Sequence, residues 1–118
     1  MRIRVEGKHP LNGSYHPAGN TNAAMMLLAA ALLTDKAVTL KNMPQTLNMQ
    51  SMLAVAEKLG TKLTWIDNQS VTVQTEQISK RALTLADTNG LVSMMLFLPA
   101  MLARRQHGFR LMIGLFLI

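Results

Sequence analysis

Eleven consecutive apolar residues, Ala23 to Leu33, follow the polar run Asn20-Thr21-Asn22 and contain neither glycine nor proline. Alanine, leucine and methionine are strong helix formers, so this segment reads as a helix that Thr34-Asp35-Lys36 brings to an end. It is apolar all round, which demands cover on most sides and places it at the centre of a layered fold. A chain of 118 residues builds one core. A bilayer needs about 20 apolar residues, so neither this helix nor Leu91 to Ala103 nor Leu111 to Ile118 spans one alone. Joining the last two as a hairpin would draw Arg104, Arg105, His107 and Arg110 toward hydrocarbon. The first helix also lies behind Pro10 and Pro17, too far along the chain for a signal-peptide core. No membrane partner is expected, and the expected location is the cytoplasm.

Charge narrows the partners. Twelve Lys and Arg against six Asp and Glu give +6, with 49% hydrophobic residues, too apolar for disorder. The cations lie in ones and twos along the whole chain, and Trp65, Tyr15 and the phenylalanines are far apart. A nucleic-acid reader concentrates its basic residues and interleaves stacking aromatics, so no nucleic-acid partner is expected. A solvated basic surface or an anionic small ligand fits the balance. The absence of cysteine removes disulfides, thiolate nucleophiles and cysteine zinc sites, and is compatible with a reducing compartment.

Along the chain, Arg2 to Glu6 alternates with Ile3 and Val5 on one face and reads as a strand, with a second extended piece at Ser14 to Ala18. After the first helix, Ala37 to Lys41 alternates again with Val38 and Leu40 inward, and Asn42-Met43-Pro44 breaks it. A second helix begins at Asn48 as N-cap, carries Met49, Met52, Leu53, Val55, Ala56 and Leu59 at helical spacing, and stops at Gly60. Leu63 to Ile66 and Val71 to Val73 flank Asp67-Asn68-Gln69-Ser70 as a hairpin. The order β-α-β-α-β-β predicts an α/β (α+β) layered sandwich with helices on one face of a sheet. Leu83 to Ala86 then starts again as an extended segment, followed by Asp87-Thr88-Asn89-Gly90 and an apolar helix, Leu91 to Arg104. A polar-Thr-Asn run precedes Met-Met-Leu here as it does at Asn20-Thr21-Asn22, which suggests a repeat. The expected divisions are 1–76 as a first unit, 77–107 as the start of a second, and 108–118 as a divergent apolar tail.

Dinucleotide, phosphate-loop, serine-hydrolase and zinc-protease motifs are absent, and His9, His16 and His107 have no carboxylate at ligand spacing. No metal or cofactor is called for. Methionines 25, 26, 52, 94, 95 and 101 read as core filler on helices. The chemistry-bearing segment is Ala18-Gly19-Asn20-Thr21-Asn22-Ala23-Ala24. A glycine lets backbone approach a ligand, a helix start offers unpaired N–H groups, and the Asn22 amide donates and accepts. Together they can hold a phosphate or a sugar hydroxyl; in the alternative reading Asn20 or Thr21 caps a core helix and nothing more.

Up to about residue 105 the chain resembles the amino-terminal part of the UDP-N-acetylglucosamine enolpyruvyl transferases. The residues that carry the resemblance are Arg4-Val5-Glu6-Gly7, Leu11-Asn12-Gly13, Ala18 to Ala24, Leu28 to Leu33, Leu40-Lys41-Asn42-Met43-Pro44, Met52 to Gly60, Leu98-Pro99 and Leu102-Ala103-Arg104. The resemblance implies repeated β-α-β-α-β-β units, here one unit plus part of a second, in an enzyme with its active site between two domains. It implies transfer of enolpyruvate from phosphoenolpyruvate to UDP-N-acetylglucosamine in peptidoglycan precursor synthesis, with these two molecules as partners and no cofactor.

The resemblance also exposes departures. Where the family carries a lysine that contacts phosphoenolpyruvate, this chain has Thr21, and the neighbouring asparagine that contacts the UDP-sugar is Asn22. Threonine cannot neutralise a phosphate or carboxylate. A family arginine falls on Gly90 or Leu91, and an acidic residue falls on Asn48, which keeps a capping role. The family's cysteine loop has no counterpart, since Phe109-Arg110-Leu111 to Ile118 runs in its place. The expectation is a fragment or degenerate member, inactive alone, with no catalytic residue and with Asn22, Thr21 and Gly19 as substrate-binding positions. The alternative is a non-catalytic paralogue that holds an anionic ligand or a homologous chain, with Met94 to Met101 and the tail as contact surface. Eight apolar residues at a carboxyl end are an association hazard, and through them the chain can self-associate.

Overall fold

The structure, a computed structural model, describes residues 2–79, 84 and 92–104. Three helices and three strands follow in order: α1 Thr21–Ala31, β1 Val38–Leu40, α2 Leu47–Lys58, β2 Lys62–Asp67, β3 Ser70–Gln74 and, after a 3-10 turn at Val92–Leu96, α3 Phe97–Ala103. The mixed layered architecture expected from the sequence is present. Of its elements, the extended segment at Leu83 to Ala86 (Thr84 apart), the run Asp87 to Gly90 that suggested a repeat, and the tail from Arg105 onward lie outside the described residues.

Helix α1 starts where its cap sets it. Asn20 is extended (φ −71°, ψ 125°), and its Oδ1 accepts from the Ala23 N–H at 3.0 Å, satisfying one of the orphan donors of the first turn. Ala24, Met25, Leu28, Ala29, Ala31 and Leu32 are buried, whereas Ala23, Met26, Leu27 and Ala30 are exposed. The exposed set has i, i+3, i+4, i+7 spacing and is one stripe. The expectation of cover on most sides is therefore corrected: what packs on α1 among the described residues is one layer, and one of its two apolar faces is open.

The sheet has the order β1-β3-β2 with every pair antiparallel. Val38 faces Val73 and Leu40 faces Val71; across the other ladder Leu63 faces Val73 and Trp65 faces Val71, with an irregularity before Asp67. This period-2 register turns Leu40, Val71 and Val73 toward Leu28, Leu32, Met52, Ala56, Leu59 and Phe97 in a single core. On the other face Thr39 and Thr72 share a hydroxyl hydrogen bond of 3.2 Å. The hairpin turns at Asn68-Gln69, as the sequence indicates.

Four expectations are corrected. Arg2 to Glu6 is not a strand: no ladder reaches it, and Ile3 and Val5 are 75% and 86% exposed. Two alternating apolar side chains bury too little to offset the ordering of five residues. The N-cap of α2 is Thr46, extended at φ −94° and ψ 153°, whose Oγ1 accepts from the Met49 N–H at 3.4 Å, and Asn48 sits exposed within the first turn. Of the helix expected over Leu91 to Arg104, the described residues 92–104 are not one continuous α-helix. Proline has no N–H and its ring clashes with the carbonyl four residues back, so Pro99 disfavours an α-turn through Met95, and the chain takes the 3-10 form before α3. Finally, Met26 is 59% and Met95 43% exposed and neither fills the core, while Met25, Met52 and Met101 are buried there. The segment from Met94 to Met101 is correspondingly more core than contact surface, with Phe97, Ala100 and Met101 all buried.

The end of α2 follows the sequence reading. Gly60 has φ +101°, and a Cβ there would lie 2.8 Å from the Gln77 carbonyl oxygen, so glycine is required both by conformation and by space. Beneath it Thr61 and Thr75 share a buried hydrogen bond of 2.8 Å. Arg104, at the end of α3, donates from Nη1 to the carbonyls of Leu32 (3.2 Å), Thr34 (3.2 Å) and Thr75, and from Nη2 to that of Glu76 (2.8 Å). One guanidinium thereby ties α3 to the end of α1 and to the chain leaving β3. Among the described residues no helix is long and apolar enough to cross a membrane.

Candidate functional site

The segment Gly19 to Asn22 enters α1 directly against the turn that follows β1. A Cβ on Gly19 would overlap the carbonyl oxygen of Asn42 and stand 3.1 Å from its carbon, so only glycine allows the two backbones to cross. Asn42 itself is left-handed at φ +56°, a conformation asparagine tolerates. The N–H of Met43 is anchored on the Gln69 carbonyl at 2.8 Å, and Pro44 packs against the crossing. Glycine at 19 thus serves chain packing as well as any ligand.

The three expected site residues are not brought to one point. Gly19 lines a groove of about 380 Å³ with Asn20, Ala23, Leu27, Lys41 and Asn42. Thr21 turns to α2, where its Oγ1 lies 3.4 Å from the Oγ1 of Thr46. Asn22 is exposed and does not line that groove. The Asn20 carboxamide occupies the Ala23 N–H, so part of the anion-holding capacity of the helix start is used within the chain. The capping reading of this segment is therefore realised by Asn20.

Lys41, named in the sequence only as part of the run Leu40 to Pro44, also lines this groove. Its signal was its place immediately before Asn42-Met43-Pro44, which a turn folds back onto Gly19. It is exposed, and it puts a positive charge on the groove that begins at the α1 amino terminus. Asn42 also borders a second groove of about 860 Å³ with His16, Pro17 and the hairpin residues Asp67 to Ser70. At that end the Asp67 carboxyl is held below its ordinary pKa, first by the Gln69 N–H donating to it at 2.7 Å and then by the Ser70 hydroxyl. No group of metal-ligating side chains is present among the described residues.

This geometry can hold an anion at a lysine and a helix start, and it can offer amides to hydroxyl groups. It contains no nucleophile paired with a base and no cation at Thr21, so among the described residues it does not assemble an acid–base constellation.

The sequence pattern of the EPSP synthase (3-phosphoshikimate 1-carboxyvinyltransferase) family matches residues 5–114. Among curated relatives, the UDP-N-acetylglucosamine 1-carboxyvinyltransferase of Prochlorococcus marinus strain MIT 9515 is 33% identical over 104 residues, covering 88% of this chain and 22% of the relative. That of Helicobacter pylori strain Shi470 is 28% identical over 102 residues, covering 86% and 24%. The enzyme of the same name from Bradyrhizobium diazoefficiens is 35% identical over 74 residues, covering 63% and 17%. The crystal structure of the enolpyruvyl transferase NikO from Streptomyces tendae superposes with a TM-score of 0.68 at 18% identity, covering 80% of this chain and 22% of that one. The chain spans between about a sixth and a quarter of the length of these relatives. A match over nearly the whole chain, together with the shared fold, shows that this chain belongs to the EPSP synthase family of enolpyruvyl transferases.

Proposed function

We propose that the chain is a ligand-binding member of the enolpyruvyl transferase family that holds UDP-N-acetylglucosamine at the start of α1 and does not, by itself, transfer enolpyruvate from phosphoenolpyruvate. The observation that carries this reading is the state of Thr21: it stands where the resemblance calls for a lysine, and its hydroxyl is engaged with Thr46. The phosphoenolpyruvate carboxylate and phosphate thus lose their cation, whereas the sugar-facing amide of Asn22 is open to solvent and Lys41 offers charge to the diphosphate. The relatives' names support the sugar nucleotide as ligand, and a place in peptidoglycan precursor synthesis in the cytoplasm follows from the same reading.

The test combines an assay and a binding measurement on the full chain. Incubation with both substrates is expected to release no phosphate above a protein-free blank. Equilibrium dialysis is expected to show UDP-N-acetylglucosamine bound, with Asn22→Ala weakening it by about 5- to 10-fold, the worth of one hydrogen bond near 1 kcal/mol. Phosphate release by the unaltered chain overturns the loss of transfer; equal binding by the Asn22→Ala variant overturns the assignment of the sugar contact.

A further inference from the structure

The run Arg-Ile-Arg-Val-Glu at residues 2–6 has the pattern of a strand, and no strand among the described residues pairs with it. Residues 2–18 are exposed throughout. On the sheet, β2 is an edge strand: β3 pairs along one side, and among the described residues nothing pairs along the other. It is six residues long, and all of them except Leu63 are exposed. An open edge of this length is a template for one more strand.

We propose that residues 2–6 of one copy of this chain add as an antiparallel strand along the open edge of β2 in a second copy, and that the exchange is reciprocal. One register fits the whole pattern. With Glu6 opposite Lys62, Val5 falls opposite Leu63, Arg4 opposite Thr64 and Ile3 opposite Trp65, while Arg2 lies toward the Asp67 end. Directly opposite residues share a face. Val5 therefore lengthens the row Val38, Val73, Leu63, and Ile3 lengthens the row Leu40, Val71, Trp65, both on the core side of the sheet. Ile3 arrives at a groove of about 570 Å³ lined by Gln45, Trp65, Ile66, Asp67 and Asn68, which shares no residue with the groove at Gly19. Arg4 continues the row Thr39, Thr72, Thr64 on the other face.

The alternatives fit worse. A slip of one residue turns Ile3 and Val5 to the threonine face. The parallel alignment that keeps both apolar pairs sets Arg2 against Lys62, so Lys62 repels that alignment and attracts the antiparallel one. The occupant is a second copy because, within one chain, the structure leaves Ile3 and Val5 in solvent although a β2 edge is present in the same molecule.

Residues 2–6 take no part in the core, so substitutions there report on association without disturbing the fold. Sedimentation equilibrium of the full chain is expected to show a reversible dimer, weakened about tenfold by Val5→Asp, which would bury a charge in an apolar row. Glu6→Lys and Lys62→Glu are each expected to weaken it about fivefold, and their combination in one chain to restore it, because the swap reverses both charges of the pair. Cross-linking fixes the place. The chain has no cysteine, so Arg4→Cys and Thr64→Cys are placed on separate chains and mixed in air, where two thiols pass two electrons and two protons to dissolved oxygen as the disulfide closes. The mixed dimer is expected to form about tenfold faster than one between Arg4→Cys and Thr39→Cys, whose second cysteine lies on the opposite edge strand. A monomer at all concentrations, or a dimer that Val5→Asp and Glu6→Lys leave unchanged, overturns the proposal. Equal cross-linking at Thr64 and Thr39 overturns the assignment of the edge. A disulfide-closed monomer from a chain carrying both Arg4→Cys and Thr64→Cys, in place of linked dimers, overturns the second copy in favour of the chain's own amino-terminal segment.

Discussion

Gly19 has no room for a side chain, because a Cβ would occupy the carbonyl oxygen of Asn42. The obstacle is backbone and cannot swing aside, so Gly19→Ala is expected to destabilise the fold by about 2 kcal/mol, within the range of overpacked interiors. Urea unfolding checks this through a lower midpoint at an unchanged slope. The need for glycine here was legible in the sequence as close backbone approach, but the approaching group was not: it is another part of the same chain, brought in by a turn that no local pattern specifies. The relation of Lys41 to Gly19 is not legible in the sequence for the same reason, since it exists only after β1 and α1 pack. Asp67 illustrates the opposite case, a residue whose local sequence suffices. Its carboxylate accepts from the Gln69 N–H within a two-residue loop, and its folded pKa is depressed. Its contribution to the hairpin is thus present above the unfolded value of about 3.9 and is lost as pH falls through the lower folded value. A carboxyl NMR titration is expected to place the Asp67 midpoint below about 3.9, and a midpoint at or above that reference would contradict the hairpin bond.

Among the elements, α2 and the hairpin are readable because each carries a period that matches its burial, and α1 because it is an unbroken run of strong helix formers. Their ends were less so. Asn48 and Thr46 are both capping residue types, and what decides between them is that Thr46, two residues after Pro44, is extended while Asn48 is already in the helix. Thr46→Ala is expected to cost about 1 kcal/mol and Asn48→Ala a few tenths, measured side by side by thermal unfolding. The strand expected at Arg2 to Glu6 failed because alternation describes a face and not a partner; no strand among the described residues pairs with it. Pro99 was visible in the sequence as an interruption, and its effect is to divide an apolar segment into a 3-10 turn and α3. Arg104 looked like a charge at a helix end, whereas it bonds four carbonyls from two other parts of the chain. Arg104→Ala is expected to lower stability by about 2–3 kcal/mol, and Arg104→Lys by less, because an ammonium retains donors but cannot span the fork. Hydrogen exchange at the C-terminal turn of α1 should rise in the alanine variant.

For the molecule as a whole, family and fold were legible from the ordered succession of short motifs, even though each motif alone is weak. The site was only half legible. The replacement at Thr21 can be read from the sequence, but its engagement with Thr46, the diversion of Asn20 to capping and the separation of Asn22 from the Gly19–Lys41 groove are consequences of three-dimensional packing. The proposed function is asymmetric: it gives the sugar nucleotide the Asn22 amide and the Lys41 charge, and leaves phosphoenolpyruvate without a cation at Thr21. One nitrogen-15 NMR experiment tests that asymmetry directly, by titrating a single sample of the chain first with phosphoenolpyruvate and then with UDP-N-acetylglucosamine at millimolar concentration. The account predicts that the amides of Gly19, Thr21, Asn22 and Lys41 stay in place with the first ligand and move, saturably, with the second. Saturable shifts with phosphoenolpyruvate, or none with the sugar nucleotide, would contradict it.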